Sequence, residues 1–235
     1  MTLKISADKH YSIPPDTVNK KIRAIRHFFD FMKYNNVHEL PNFRLKHNVA
    51  LEVDYLKEND ERLPVYIPKD KLNLIINILQ KYKYGIRDVS ITLLLALFGL
   101  KLEEIFNLRT NNVNLKSKEL SVLRNGIKVT FPIADKLYVH LKEYMLLRAS
   151  LSNDNSYKYL FISHTGNQYS VRSYQYKFKL AVIDADFKVH YTSRNVRASF
   201  CYYMAKSTDK AELQKILDQE KVNHYYAEAV KQNPY

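Results

Sequence analysis

Apolar side chains recur every three or four residues along most of the chain, and one segment breaks that rhythm. Between residues 14 and 36, Val18, Ile22, Ile25, Phe28, Phe29 and Met32 form a stripe at helical spacing, opened by proline with Asp16 or Thr17 as cap. Residues 67–82 repeat the signature, with Pro68 ahead of Leu72, Ile75, Ile76 and Leu79. "IRDVSITLLLALFG" and "KLEEIFNLRTNNV" follow as two helical stretches joined at Gly99, a residue that tolerates a left-handed helix end. The period then changes. Across 118–133 two strand-like runs flank Asn125-Gly126, the strongest short hairpin signal. "ADKLYVHLKEYMLLRAS" and "SVRSYQYKFKLAVIDA" return to helical spacing, "YLFIS" between them is a short strand candidate, and the chain from Thr192 onward reads as helical. The pattern predicts a mainly α protein with a small antiparallel β-sheet, an α+β fold.

Residues 47–64 keep no period, are rich in acids and end at Pro64, so they read as a linker. The 46 residues before it are too few for a sturdy independent core. Residues 65–235 therefore hold the main domain, and 1–46 a partial helical one.

Composition narrows the classes further. With 46% apolar residues the chain has enough material for a core. Its richest run, Val89 to Leu100, is too short to cross a bilayer. The first ten residues lack the charged head and apolar stretch of an export signal, and Cys201 has no second cysteine to pair with, so a reducing cytoplasm is the expected setting. A small buried side chain is the expected role of that thiol.

Charge points to a partner. Lys and Arg number 37 against 24 acids, a net +13, and such a surplus favours a polyanion, either nucleic acid or an anionic membrane surface. Lys20, Lys21, Arg23, Arg26 and His27 lie on the polar face of the first helix, where they form a solvated face or contact phosphates. "TSRNVRASF" (192–200) places Arg194 and Arg197 three positions apart at the mouth of a helix, which turns both to one side.

The order of these segments resembles the tyrosine recombinases, or phage-type integrases. "PPDTVNKKIRAIRHFFDFM" is similar to the end of that family's core-binding domain, and "FGLKLEEIFNLRTNNVNL" to the block holding its first active-site arginine. A hairpin with a basic residue follows in "RNGIK", then "TSRNVRASF" at the second arginine block, then "ILDQEKVNHYYAEAV" at the tyrosine block. The resemblance covers roughly residues 14 to 230.

It implies a catalytic domain of that fold behind a partial core-binding domain, and a DNA-cutting and rejoining enzyme that needs no metal or cofactor. Double-stranded DNA would be the substrate, a tetramer on DNA the working form, and no membrane partner is implied. The target DNA and the setting, whether phage integration, element excision or chromosome resolution, stay open. Arg197 takes the second arginine position, Arg194 stands where the family has histidine, and Lys101 replaces the first arginine, with Glu104 at the usual acidic position. Lys128 is the expected general acid of the hairpin, because an ammonium can release a proton and a guanidinium cannot; Arg124 fits the spacing to Pro132 better and is assigned, with Lys20, Lys21, Arg23 and Arg26, to DNA contacts. Gln219 falls at the second histidine position, with Asp218 in place of glycine; His224 could substitute spatially, but helical surface is its expected role. Tyr226, matched on "YAEAV", is the expected nucleophile, with Tyr225 as the alternative. Because the departures fall on the chemistry, an accessory DNA-binding protein with a weakened site is the competing expectation.

Overall fold

The computed structural model describes residues 13, 15–34, 47–56, 65–124, 126–151, 159–217 and 222. The chain divides into two compact units, Met1–Arg62 and Leu63–Tyr235.

In the first unit, helix α1 spans Pro15–Tyr34 and a short 3-10 turn spans Val49–Glu52. The two pack together through polar side chains. Asn48 caps the turn and donates to the Arg26 carbonyl (3.0 Å) and to Asp30 (2.7 Å). Asn19 brackets Leu56 by donating to its carbonyl and accepting from its N–H, at 2.9 and 2.8 Å. Part of the segment read as linker from its acidity thus carries a structured turn held to α1. The expected apolar stripe is only partly covered: Ile22 is buried, whereas Ile25 and Phe28 are 49% and 58% exposed. The ridge covered here is Asn19, Ile22 and Arg26, because amide and guanidinium groups meet backbone carbonyls that a hydrophobic pattern cannot register.

The second unit is built around one helix. Helix α2 (Lys69–Lys81) leads to α3 (Gly85–Phe98), whose residues Gly85 to Leu95 are all buried. Buried along most of its length, α3 packs against α2, α5 (Asp135–Leu151) and α7 (Ser193–Ala205), as expected of a central helix. Helix α4 (Leu102–Phe106) is shorter than the pattern predicts. Asn107 caps it, and Thr110–Asn112 forms a separate 3-10 turn in which the Asn112 side chain accepts the Arg109 N–H (2.7 Å). Asparagine side chains compete with helix bonding in this way, so the residue type outweighs the spacing.

The sheet is antiparallel, ordered β1 (Val113–Asn114), β2 (Glu119–Arg124), β3 (Ile127–Pro132). Arg124 pairs with Ile127, so two positions separate the strands where the sequence announced a hairpin, and Gly126 has φ 79°. "YLFIS" does not join this sheet; it contributes isolated bridges, Tyr159 with Arg109 and Ile162 with Gln168. Helices α6 (Val171–Asp184), α7 and α8 (Lys210–Leu217) complete the described part. No helix among the described residues is long and apolar enough to cross a membrane.

Candidate active site

The site lies where α3 ends. Gly99 caps the helix in the left-handed region (φ 58°), and a Cβ there would overlap the Phe200 ring of α7. Glycine thus serves two needs at one position, a left-handed turn and contact between the chain and α7. Leu100 is then fully buried, which turns Lys101 to the mouth of α4 as its N-cap residue.

Helix α7 reaches the same point from the other side. Its first turn is fixed by Asn195, whose side-chain oxygen accepts from the Thr192 N–H and hydroxyl at 2.7 and 2.8 Å and whose amide donates to the Val65 carbonyl at 2.7 Å. Ser199 accepts the Ile67 N–H (2.6 Å) and donates to the Asn195 carbonyl (2.7 Å). On this anchored helix Arg197 is half-buried and donates through Nε to the Gly99 carbonyl at 2.7 Å. Lys101 is two residues beyond that carbonyl, so the fold brings to one corner two residues 96 positions apart in sequence. Arg194 is exposed in the first turn of α7, where N–H groups and the helix dipole also favour an anion.

The hairpin is fastened to the same corner. Glu104 accepts the Lys101 N–H at 2.6 Å, and it accepts Arg124 Nε at 2.8 Å and Nη2 at 3.3 Å. Arg124, expected on DNA, is instead 8% exposed and inside a buried ion pair. Its register explains this: Leu120, Val122 and Arg124 share the inward face of β2. Lys128 is exposed on β3, opposite Leu123. Beside them opens a cleft of about 480 Å³, lined by Lys101, Glu103, Glu104, Asn107, Arg109, Leu123, Arg124 and Tyr159 among others. Sequence reading passed over Arg109 and Leu123; the one available signal was an exposed basic residue eight positions after Lys101, within the same block.

The remaining expected residues are dispersed. Lys20, Lys21 and Arg23 are exposed on α1, Lys20 in a 2.7 Å ion pair with Asp16. Arg26 is turned inward, donating to the carbonyls of Ala50, Leu51 and Val53 at 3.1, 3.4 and 2.6 Å with its guanidinium 4.3 Å from the Tyr55 ring centre. Gln219, His224, Tyr225 and Tyr226 lie outside the described residues. No cluster of three metal-ligating side chains occurs among the described residues.

Chemically, the corner seats a guanidinium on a carbonyl, which orients it, two residues from an ammonium. Such a set stabilises oxygens that gain negative charge during a reaction.

Known proteins share this fold. The phage integrase family model matches residues 66–232. The tyrosine recombinase XerC of Proteus mirabilis is 27% identical over 215 residues, covering 90% of this chain and 67% of that protein. The XerA recombinase structure superimposes with a TM-score of 0.61 at 20% identity, covering 96% of this chain and 83% of that one. The Tn1549 transposon integrase in complex with transposon right end DNA gives 0.66 at 15%, covering 95% and 81%. The chain spans about two thirds of the length of the curated relatives it matches.

Proposed function

Because this chain belongs to the phage integrase family, we propose that it is a site-specific DNA recombinase that cuts and rejoins strands through a covalent 3′-phosphotyrosine. The observation that supports this reading most is the guanidinium of Arg197 fixed on the Gly99 carbonyl, two residues from Lys101. In this scheme the Tyr226 oxygen attacks the phosphorus as its proton passes to water, the phosphorus–5′ oxygen bond breaks, and the Lys128 ammonium gives its proton to the leaving oxygen. Rejoining reverses the step: a 5′ hydroxyl attacks the phosphotyrosine and the phenol recovers its proton. Bond energy is conserved, so no cofactor enters. Arg197, Lys101, Arg194 and Gln219 stabilise the crowded phosphorane between the two steps, the guanidiniums with two-pronged contacts that the ammonium cannot reproduce.

We assign Lys20, Lys21 and Arg23 to phosphates flanking the cut site, the partial helical unit serving as clamp. Residues 1–46 form that clamp in this reading and 65–235 the catalytic domain, working as a tetramer on paired duplexes in the cytoplasm, in the service of a mobile element. The second reading, an accessory DNA-binding protein with a weakened site, is favoured by Lys101 in the place of an arginine.

A covalent-trapping assay separates the two. The protein is incubated with suicide duplexes carrying candidate attachment sites, denatured, and compared with Tyr225→Phe and Tyr226→Phe. A DNA-linked band lost in Tyr226→Phe alone is the expected result. Salt-sensitive DNA binding without any band would establish the accessory role instead.

A further inference from the structure

We infer that Arg124 is a positioning residue, which acts through Glu104 to hold the β2–β3 hairpin, and with it Lys128, in register with Lys101. The inference deepens the recombinase reading and rests on it for its catalytic consequence.

The geometry is that of a clamp with one jaw shared. The Glu104 carboxylate takes the Lys101 N–H at 2.6 Å and both Nε and Nη2 of Arg124. One side chain thereby fixes the backbone at the start of α4 and the last residue of β2. Arg124 also stands 5.9 Å from the Phe131 ring centre, and Phe131 lies 5.3 Å from Phe98, the last residue of α3 before Gly99. The guanidinium is therefore gripped by a carboxylate on one side and approached by a ring of the partner strand.

Lys128 depends on this anchorage because of the register. Arg124 pairs with Ile127, and Leu123 with Lys128. Both Ile127 and Leu123 are more than two thirds exposed, so apolar packing does not hold the tip of the hairpin. The inward contact nearest the turn is Arg124 itself, 8% exposed. A guanidinium locked in this way is not available to a phosphate, and DNA contact by Arg124 is not expected. A displacement of about 1 Å at a reacting group costs up to about a hundredfold in rate, so the link belongs to the chemical step.

The test uses the full chain. Glu104→Gln/Arg124→Met removes both charges together, leaving neither buried alone, while the glutamine oxygen still accepts the Lys101 N–H. Expected are unchanged circular dichroism and DNA affinity, single-turnover cleavage slower by about tenfold or more, and faster hydrogen exchange in 100–106 and 119–132 together. Arg124→Lys, which returns a cation to Glu104, recovers part of the rate. Cleavage at the wild-type rate in the double variant overturns the inference. So does a loss of DNA affinity with a shallower salt slope in Arg124→Lys, which would make Arg124 a phosphate contact. If the wild-type protein forms no covalent complex, the recombinase reading fails by itself. The clamp is then judged by exchange alone, and unchanged protection in both segments overturns it.

Discussion

The two ends of helix α3 both hold an arginine near a buried backbone, and they use it in opposite ways. At the start of the helix, Arg87 and Asp88 form an ion pair at 3.1 Å with side chains 5% and 0% exposed. Arg87 also donates to the Ile162 carbonyl (3.1 Å) and stacks 3.4 Å from the Tyr169 ring centre. Thr92 donates to the Asp88 carbonyl and meets the Tyr174 hydroxyl, while Tyr144 links the Leu160 carbonyl to the Ile162 N–H. Burial raises the Tyr144 phenol to about 12, so it stays a donor. At the far end, Arg197 is held by a neutral carbonyl, beside Lys101. One end closes a buried ion pair and contributes rigidity; the other seats a guanidinium on a backbone carbonyl near a second cation. The difference separates an arginine enclosed with its carboxylate from one placed close to another positive charge.

The largest expected effect falls on the first end. Asp88→Ala leaves Arg87 buried without its anion and should lower stability by about 3–5 kcal/mol in urea unfolding. Burial also raises the Asp88 pKa, so the native state binds its proton more tightly than the unfolded chain. Its contribution to stability accordingly falls as pH rises from the ordinary carboxylate value through the raised one, a slope that the alanine variant should lack. At the second end Arg197→Ala should leave the fold intact and slow single-turnover cleavage by about 10²–10³-fold, as measured by trapping. Equal losses of stability at both ends would erase the contrast.

Gly99→Ala bears on both functions at once. The left-handed backbone and the overlap with Phe200 should cost about 1–3 kcal/mol in urea unfolding, with a fall in cleavage beyond what the unfolded fraction explains. Lys101→Arg should sharpen the contrast from the other direction: a two-pronged contact in place of a point charge should raise the cleavage rate by about tenfold. The smallest effect is expected at the exposed pair Lys118–Asp135, 2.8 Å apart. Its hydrogen bond lowers the Asp135 pKa and raises that of Lys118. Any stabilisation is present above the ordinary carboxylate pKa and fades as pH falls through the lowered one. Lys118→Met should barely move the melting temperature, and the shift should vanish in high salt.

What the sequence made legible follows from which forces leave a periodic trace. The stripe Ile75, Ile76 and Leu79, the largely apolar α3, the Asn-Gly turn and the opening of α7 at Thr192 could be read because burial and turn geometry dictate residue type. Lys101 and Arg197 came from the family pattern, and only the fold brought them to one corner. Arg124 and Arg26 were misjudged for the same physical reason. A guanidinium paired with Glu104, or bonded to carbonyls of the 3-10 turn, looks in sequence like any surface cation. In the structure Arg124 lies on the inward face of β2 with Leu120 and Val122, and the carboxylate that receives it stands 20 positions earlier.

The chain's one cysteine has a practical use. Cys201 is fully buried on α7, one helical turn beyond Arg197, in a cluster with Leu213 of α8, and a thiol reagent reaches it only when that packing opens. The unmodified protein therefore carries its own opening clock. The rate at which an aromatic disulfide labels it reads how often the packing between α7 and α8 opens, and slower labelling in the presence of duplex would report DNA holding it closed.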